Sequence, residues 1–215
     1  MNITAWGKYP NIEATVHHPA TASAARRLLG RAGGFTGIAR GLGRSYGDSS
    51  LAPAMLDTRY LNHLLGFDPA TGLLRCSAGT SLADILDVYV PQGWFLPVTP
   101  GTKYVTVGGA IAADVHGKNH HIAGTITEHI DAFSIMLANG ETLECSRRQH
   151  SDLFRATCGG MGLTGVILDA TLRLIPINSA LIRQRTLKAG NLAEALALFE
   201  KHRDTTYTVS WIDCL

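Results

Sequence analysis

Paired cysteines, long apolar runs and a dominant charge sign are all missing from this chain, and each absence removes a class of protein. The four cysteines, Cys76, Cys145, Cys158 and Cys214, form no C-x-x-C pair and follow no regular spacing. That argues against a disulfide framework or a zinc finger and favours a reducing compartment. No run approaches about eighteen consecutive apolar residues, and the opening Met1 to Lys8 has no apolar core behind a basic start, so neither a spanning helix nor a secretory leader is expected. Lys and Arg number 19 against 17 Asp and Glu, a balance of +2 spread along the chain, which does not support a nucleic-acid footprint. The expectation is a soluble, cytoplasmic protein with a small-molecule ligand; a peripheral place on the inner face of a membrane is compatible with it.

What is present is apolar content and glycine. The 215 residues are 46% hydrophobic, enough for a core and for one to two domains. The 23 glycines exceed the roughly 7% of average usage. Alternation predicts strands at Ile12 to His17, Phe35 to Ala39, Met55 to Asp57, Leu73 to Ser77 and Val166 to Ile177, with Ala180 to Leu187 a candidate partner for the last. An Ala-rich helix is expected from Pro19 to about Arg31, stopped by Gly33-Gly34. Ser81 with Asp84 three places on reads as a capping box. Asn139-Gly140 predicts a hairpin between Ala132 to Ala138 and Glu141 to Cys145. Helices are expected at Ser151 to Thr157 and Asn191 to His202, and the last ten residues read as a strand left unfinished, which suggests truncation.

Four glycine-rich segments, 41–47, 99–102, 106–110 and 159–165, each fall at the end of an expected strand or the start of a helix. Glycine lets a chain approach an anion closely and present main-chain N–H groups to it. Gly41-x-Gly43-x-x-x-Gly47 departs from the Rossmann fingerprint, because its third glycine is one place late and no helix follows, and no Walker pattern exists. A lone turn of this kind is ordinary; four together suit a long ligand threading past several loops. A dinucleotide such as FAD has that shape, with Arg44 as a counter-charge for its pyrophosphate.

Ala39-Arg-Gly-Leu-Gly-Arg44-Ser-Tyr46-Gly-Asp48 and Val105-Thr-Val-Gly-Gly-Ala-Ile-Ala-Ala-Asp-Val-His116-Gly-Lys118-Asn-His-His resemble the vanillyl-alcohol oxidase / p-cresol methylhydroxylase (PCMH-type) flavoproteins. The likeness runs from about Trp6 to Leu215 and is most specific at 116–121 and 159–167. It implies an α+β fold: a PCMH-type FAD-binding domain of two α/β subdomains over 1–178, and the start of a truncated substrate-binding domain over 179–215. It implies that Ala39, Arg40, Gly41, Leu42, Gly43, Arg44, Ser45, Tyr46, Gly47, Asp48 and Ser49 hold the pyrophosphate. Gly101, Thr106, Val107, Gly108, Gly109, Ala113, Asp114, Val115, His116 and Ile167 would then line the flavin. Many members carry a flavin-linked histidine where this sequence has Arg44, so non-covalent FAD is expected.

The resemblance further implies oxidation of a sugar secondary hydroxyl, ribose C2 of a polyprenyl-phosphate ribose, as the first half of an epimerisation completed by a separate NADH-dependent short-chain reductase. His116 would assist at the reacting hydroxyl, Lys118 would pair with a substrate phosphate or sugar oxygen, and Tyr46 would lie beside them, with the proton-abstracting base outside this sequence. Val115 occupies the place thought to control oxygen access, which favours a quinone-like electron acceptor. The residues alone leave alternatives open: His116 as a structural turn residue, Lys118 as a solvated lysine, Tyr46 as turn packing. His116 and His120 have the spacing of a helical metal pair, but Gly117 interrupts the helix, and no metal is expected. An alditol or sugar-lactone oxidase on the same scaffold, or a flavin-binding module without activity, remain rival readings.

Overall fold

A computed structural model describes residues 1–29 and 35–214. The chain opens with β1 (Asn2–Thr4), β2 (Asn11–Glu13), β3 (Thr15–His17), α1 (Ala22–Leu29), β4 (Ile38–Arg40) and β5 (Ala54–Asp57). It continues through β6 (Leu64–Asp68), β7 (Leu73–Ser77), α2 (Leu82–Tyr89), β8 (Trp94–Phe95), α3 (Val107–Ala112) and α4 (His120–Ala123). Then come β9 (Ile130–Met136), β10 (Thr142–Ser146), α5 (Ser151–Thr157), β11 (Val166–Arg173), β12 (Ile175–Pro176) and α6 (Leu192–Lys201).

These elements build two lobes, as an α+β fold of two subdomains requires. The smaller lobe is a parallel sheet in the order β3-β5-β4, flanked by α1 and by the antiparallel β1–β2 pair. The larger is an antiparallel sheet in the order β10-β9-β11-β7-β6. The strand expected over Ile12 to His17 is therefore two strands: β2 pairs with β1, β3 pairs with β5, and buried Ala14 marks the change of partner.

β11 explains how the lobes meet. Val166 and Leu168 pack with Ala25, Leu29 and Leu56 of the small lobe, while Ile167, Ala170 and Leu172 enter the main core. A register shift against β9 lies between Ile167 and Asp169. A strand covered on both faces reads as a continuous apolar run, which is what Val166-Ile-Leu shows. In the main core the rings of Phe133 and Phe154 stack with centroids 5.0 Å apart, each burial stabilising the fold by about 1.5–3 kcal/mol.

Local signals held where they were strongest. Ser81 Oγ accepts from the Asp84 N–H and Asp84 Oδ2 accepts from the Ser81 N–H, both at 3.0 Å. At the hairpin, Gly140 has φ 84° and its N–H donates to the Leu137 carbonyl at 2.9 Å, while Asn139 Oδ1 accepts from Glu141 N–H. α5 has the predicted bounds, and Asn191 caps α6.

Other expectations are corrected. The strand expected over 166–177 ends at Arg173; Ile175–Pro176 belongs to a different sheet, paired with β8. Residues 180–187 and 206–214 form no strand, because alternation in one segment supplies no second backbone to complete a ladder. Strand β4 begins at Ile38 rather than Phe35, and β6, not anticipated, pairs with β7. Helix α6 forms, yet Leu192 and Leu196 on its apolar side are 69% and 57% exposed. The stop expected at Gly33-Gly34, with Arg31, lies outside the described residues. No helix among them is long and apolar enough to cross a membrane.

Candidate functional site

The four glycine-rich segments do converge. Between the lobes lies a cavity of about 620 Å³, walled by the loop after β4, the 100–106 segment, α3, the 161–165 turn and Ile167 of β11. Its size falls within the roughly 300–1,000 Å³ usual for small-molecule sites.

The loop after β4 carries the donors. Gly43 and Gly47, with φ of 64° and 59°, bend it. Among the described residues, no main-chain N–H from Leu42 to Ser49 is given to a protein acceptor. Such amides need water or a ligand, and an anion suits a row of them. Gly41 is glycine for contact: a Cβ there would run into Thr106 Oγ1 of the facing helix cap. Arg44 is held from two sides, with its guanidinium 4.6 Å from the Trp6 ring centroid and its Nε donating to the Tyr104 carbonyl at 3.2 Å.

Arg40 behaves differently from the pyrophosphate ligand expected. Its Nη1 donates to the Ser50 carbonyl and Oγ, and its Nη2 to the Thr4 carbonyl at 2.7 Å, so it ties the loop to β1 from behind. A Cβ on Gly43 would collide with that guanidinium. Burial, then repulsion from Arg59, lowers the Arg40 pKa, partly offset by Asp57.

α3 supplies shape rather than donors. Val107 N–H donates to the Thr80 carbonyl at 2.8 Å, Gly108 N–H to the Ala78 carbonyl at 2.7 Å and Gly109 N–H to Thr106 Oγ1 at 3.1 Å. The first-turn amides are thus already used, and what Gly108 and Gly109 offer a ligand is bare Cα surface. Val107 is fully buried and faces the core.

At its other end α3 closes in a Schellman arrangement, with Val115 N–H donating to the Ala110 carbonyl at 3.1 Å and Asp114 N–H to the Ile111 carbonyl at 3.0 Å. The left-handed position usually taken by glycine is Asp114, with φ 43°. Its Oδ1 accepts from Thr127 Oγ1 at 2.7 Å, which turns the carboxylate away from the cavity. Val115 lines the cavity and packs with Val98, Ala110 and Ile126.

Of the residues expected at the site, Ala39, Gly41 to Tyr46, Ser49, Gly101, Thr106, Gly108, Gly109, Ala113, Val115 and Ile167 line the cavity. Arg40, Gly47, Asp48, Val107, Asp114, His116 and Lys118 do not. His116 and Lys118 stand on the exposed turn directly after Val115. The His116 ring lies 5.4 Å from that of His120, and the Lys118 carbonyl accepts from Thr208 N–H at 3.1 Å. Pro100, Thr102, Ala110, Met161, Gly162 and Gly165 also line the cavity and lie in the glycine-rich segments without having been singled out one by one, whereas sequence reasoning missed Trp6, Ser50, Thr58, Ala78, Val105 and Ala112 as wall residues. Most are small or apolar and carry no chemical signal; the N–H bond from Trp6 to the Ser45 carbonyl, at 3.1 Å, is visible only in three dimensions.

Comparison with known proteins agrees with this geometry. Residues 11–146 match the FAD binding domain family. The chain is 39% identical to the decaprenylphosphoryl-beta-D-ribose oxidase of Mycolicibacterium smegmatis, over 98% of this chain and 47% of that protein. It is 35% identical to a putative D-arabinono-1,4-lactone oxidase of Neurospora crassa, over 54% of this chain and 20% of the relative. With the L-gulonolactone oxidase of Mus musculus the identity is 32% over 57% of this chain and 28% of the relative. The chain thus spans about half, or less, of the length of these curated relatives. The family match covers the loop after β4, α3 and the strands that carry them, and the chain belongs to the FAD binding domain family.

Proposed function

We propose that this chain is the cofactor-binding part of an FAD-dependent oxidoreductase that oxidises the C2 hydroxyl of a polyprenyl-phosphate ribose. The observation that carries the reading is the row of free amides from Leu42 to Ser49 along a cavity between two lobes. Bound FAD would supply a hydride acceptor for oxidation of an alcohol, and the hydroxyl proton would pass to a base. Ala39, Gly41 to Tyr46 and Ser49 would hold the pyrophosphate, with Arg40 bracing their loop from behind, and Gly101, Thr106, Gly108, Gly109, Ala113, Val115 and Ile167 would surround the flavin. His116, Lys118 and Tyr46 serve the substrate side, and residues from about 179 open the substrate-binding domain. Similarity to a ribose oxidase over nearly the whole chain supports the substrate. A short-chain NADH-dependent reductase would complete the epimerisation.

Two features refine the reading. Arg44 has no nucleophile to offer a flavin ring, so the cofactor is held without a covalent bond. Val115, branched and on the cavity wall, hinders oxygen and directs electrons to a quinone-like acceptor. Relatives named as lactone oxidases support a second reading, a sugar-lactone or alditol oxidoreductase on the same scaffold. The decisive experiment is purification followed by acid precipitation. A yellow protein that releases FAD into the supernatant is expected; a colourless protein that takes up no added FAD overturns the proposal. In the full-length enzyme, turnover of free lactones or polyols in place of the lipid-linked ribose would select the second reading.

A further inference from the structure

Met161 is the residue of the cavity wall whose presence the fold least explains. It has φ 53°, in the left-handed region that a bulky side chain disfavours and glycine or asparagine adopts readily. Glycine surrounds it: Gly159 with φ 77° and Gly162 with φ 80° sit on either side, with Gly160 between. The strained residue is itself held by a main-chain bond, from Met161 N–H to the Ala112 carbonyl at 2.8 Å, close to the end of α3 and beside the bond from Gly159 N–H to the Ile111 carbonyl at 3.1 Å. That bond needs no side chain, and a glycine would make it without strain. Met161 is 45% exposed, absent from the buried core clusters, and lines the cavity. The next residue, Gly162, would place a Cβ 3.8 Å from Ile38 Cγ1, which sets the turn beside the end of β4 where the amide-bearing loop begins.

Strain kept at a ligand site, without a packing reward in the protein itself, points to a reward supplied by the ligand. We infer that the Met161 side chain is a binding residue for the dinucleotide, its thioether packing against an aromatic ring of the bound cofactor. Unbranched and polarisable, methionine suits a sulfur–ring contact, which glycine at the same place could not make. The inference rests on the FAD reading above and adds to it one specific contact. It also carries an unusual signature: removing the side chain should help the empty protein and harm the complex.

The test compares wild type, Met161→Gly and Met161→Leu, each stripped of flavin, by thermal melting and by FAD titration. Leucine keeps both the backbone strain and apolar bulk; glycine removes both. For Met161→Gly, the flavin-free protein should melt at the wild-type temperature or up to about 4 °C higher. Its dissociation constant for FAD should rise about 2- to 10-fold. Met161→Leu should melt with wild type and bind FAD within about threefold of it. If Met161→Gly binds FAD as tightly as wild type, the inference fails while the FAD reading stands. If the glycine variant melts several degrees lower, the side chain is core packing and the inference also fails. Wild type that takes up no FAD would overturn both.

Discussion

Asp57 shows how one buried charge supports the cofactor loop. It ends β5, its side chain is 3% exposed, and it accepts from Arg59 Nε and Nη2, the Arg59 N–H and His18 Nδ1. Burial alone would raise its carboxyl pKa; hydrogen bonds from the Arg59 side chain and backbone, the Arg59 charge and the His18 bond together hold it below the usual range. A depressed carboxyl gives stability that is complete above the unfolded pKa of about 3.9 and lost as pH falls through the folded value. Asp57→Asn should therefore cost about 2–3 kcal/mol in urea unfolding at neutral pH. The two proteins should converge as the pH drops well below about 3.9; a gap that persists there would mean that the carboxylate charge is not the cause. Neighbouring Thr58 lines the cavity, and its Oγ1 donates to the Arg40 carbonyl at 3.3 Å, so the same variant should also weaken FAD binding.

The thiols behave oppositely. Burial pushes Cys76 up to about 12 and Cys158 up to about 11, Cys145 is also raised by burial, and Cys214 is exposed. An aromatic disulfide reagent should react quickly with one thiol in the folded protein and with all four once it is unfolded. A second fast thiol would show that Cys158 is more open than its surroundings indicate.

Elements translate sequence into a site when contacts between them leave no slack. The approach of Gly41 to the Thr106 cap of α3 is such a contact, and Gly41→Ala forces the loop and the helix apart. FAD affinity should fall at least about tenfold, roughly 1.4 kcal/mol, while far-ultraviolet circular dichroism stays unchanged; retained affinity would show that the loop tolerates the shift. At this scale the sequence was legible wherever a signal was local. The Ser81 box, the Asn139-Gly140 turn and α5 are each decided within a few residues, and they form as expected. Strands were less legible because pairing involves two segments: residues 180–187 alternate without a partner, and β6, with Gly66 inside it, forms because β7 lies beside it. The site divided in the same way. Gly41 to Tyr46 announced themselves by composition, whereas Thr58, Ala78 and Ala112 are wall by position alone, and the outward turn of Arg40 depends on a carbonyl 36 residues away.

The whole molecule is two lobes joined by an apolar seam, in which Val166 and Leu168 of β11 meet Ala25, Leu29, Leu56 and Met136. Leu168→Ala should cost about 2–4 kcal/mol, and FAD in excess should raise the stability of variant and wild type alike, because a ligand that binds only the folded protein adds its increment to both. Saturation at about 100 times the dissociation constant contributes roughly 2.7 kcal/mol. Melting curves of this variant with and without FAD measure that increment, and a variant that gains much less from FAD than wild type does would show that the seam is needed to form the cavity.

The walls of that cavity run from Trp6, near the start of the chain, to Ile167, 161 residues further on. Closing so wide a span precedes any pocket, since distant segments must meet before their contacts repay the entropy of bringing them together. On refolding, secondary structure should therefore form before flavin is taken up, which stopped-flow circular dichroism and flavin fluorescence would check. Colour would arrive last, marking a polypeptide whose distant segments have already found each other.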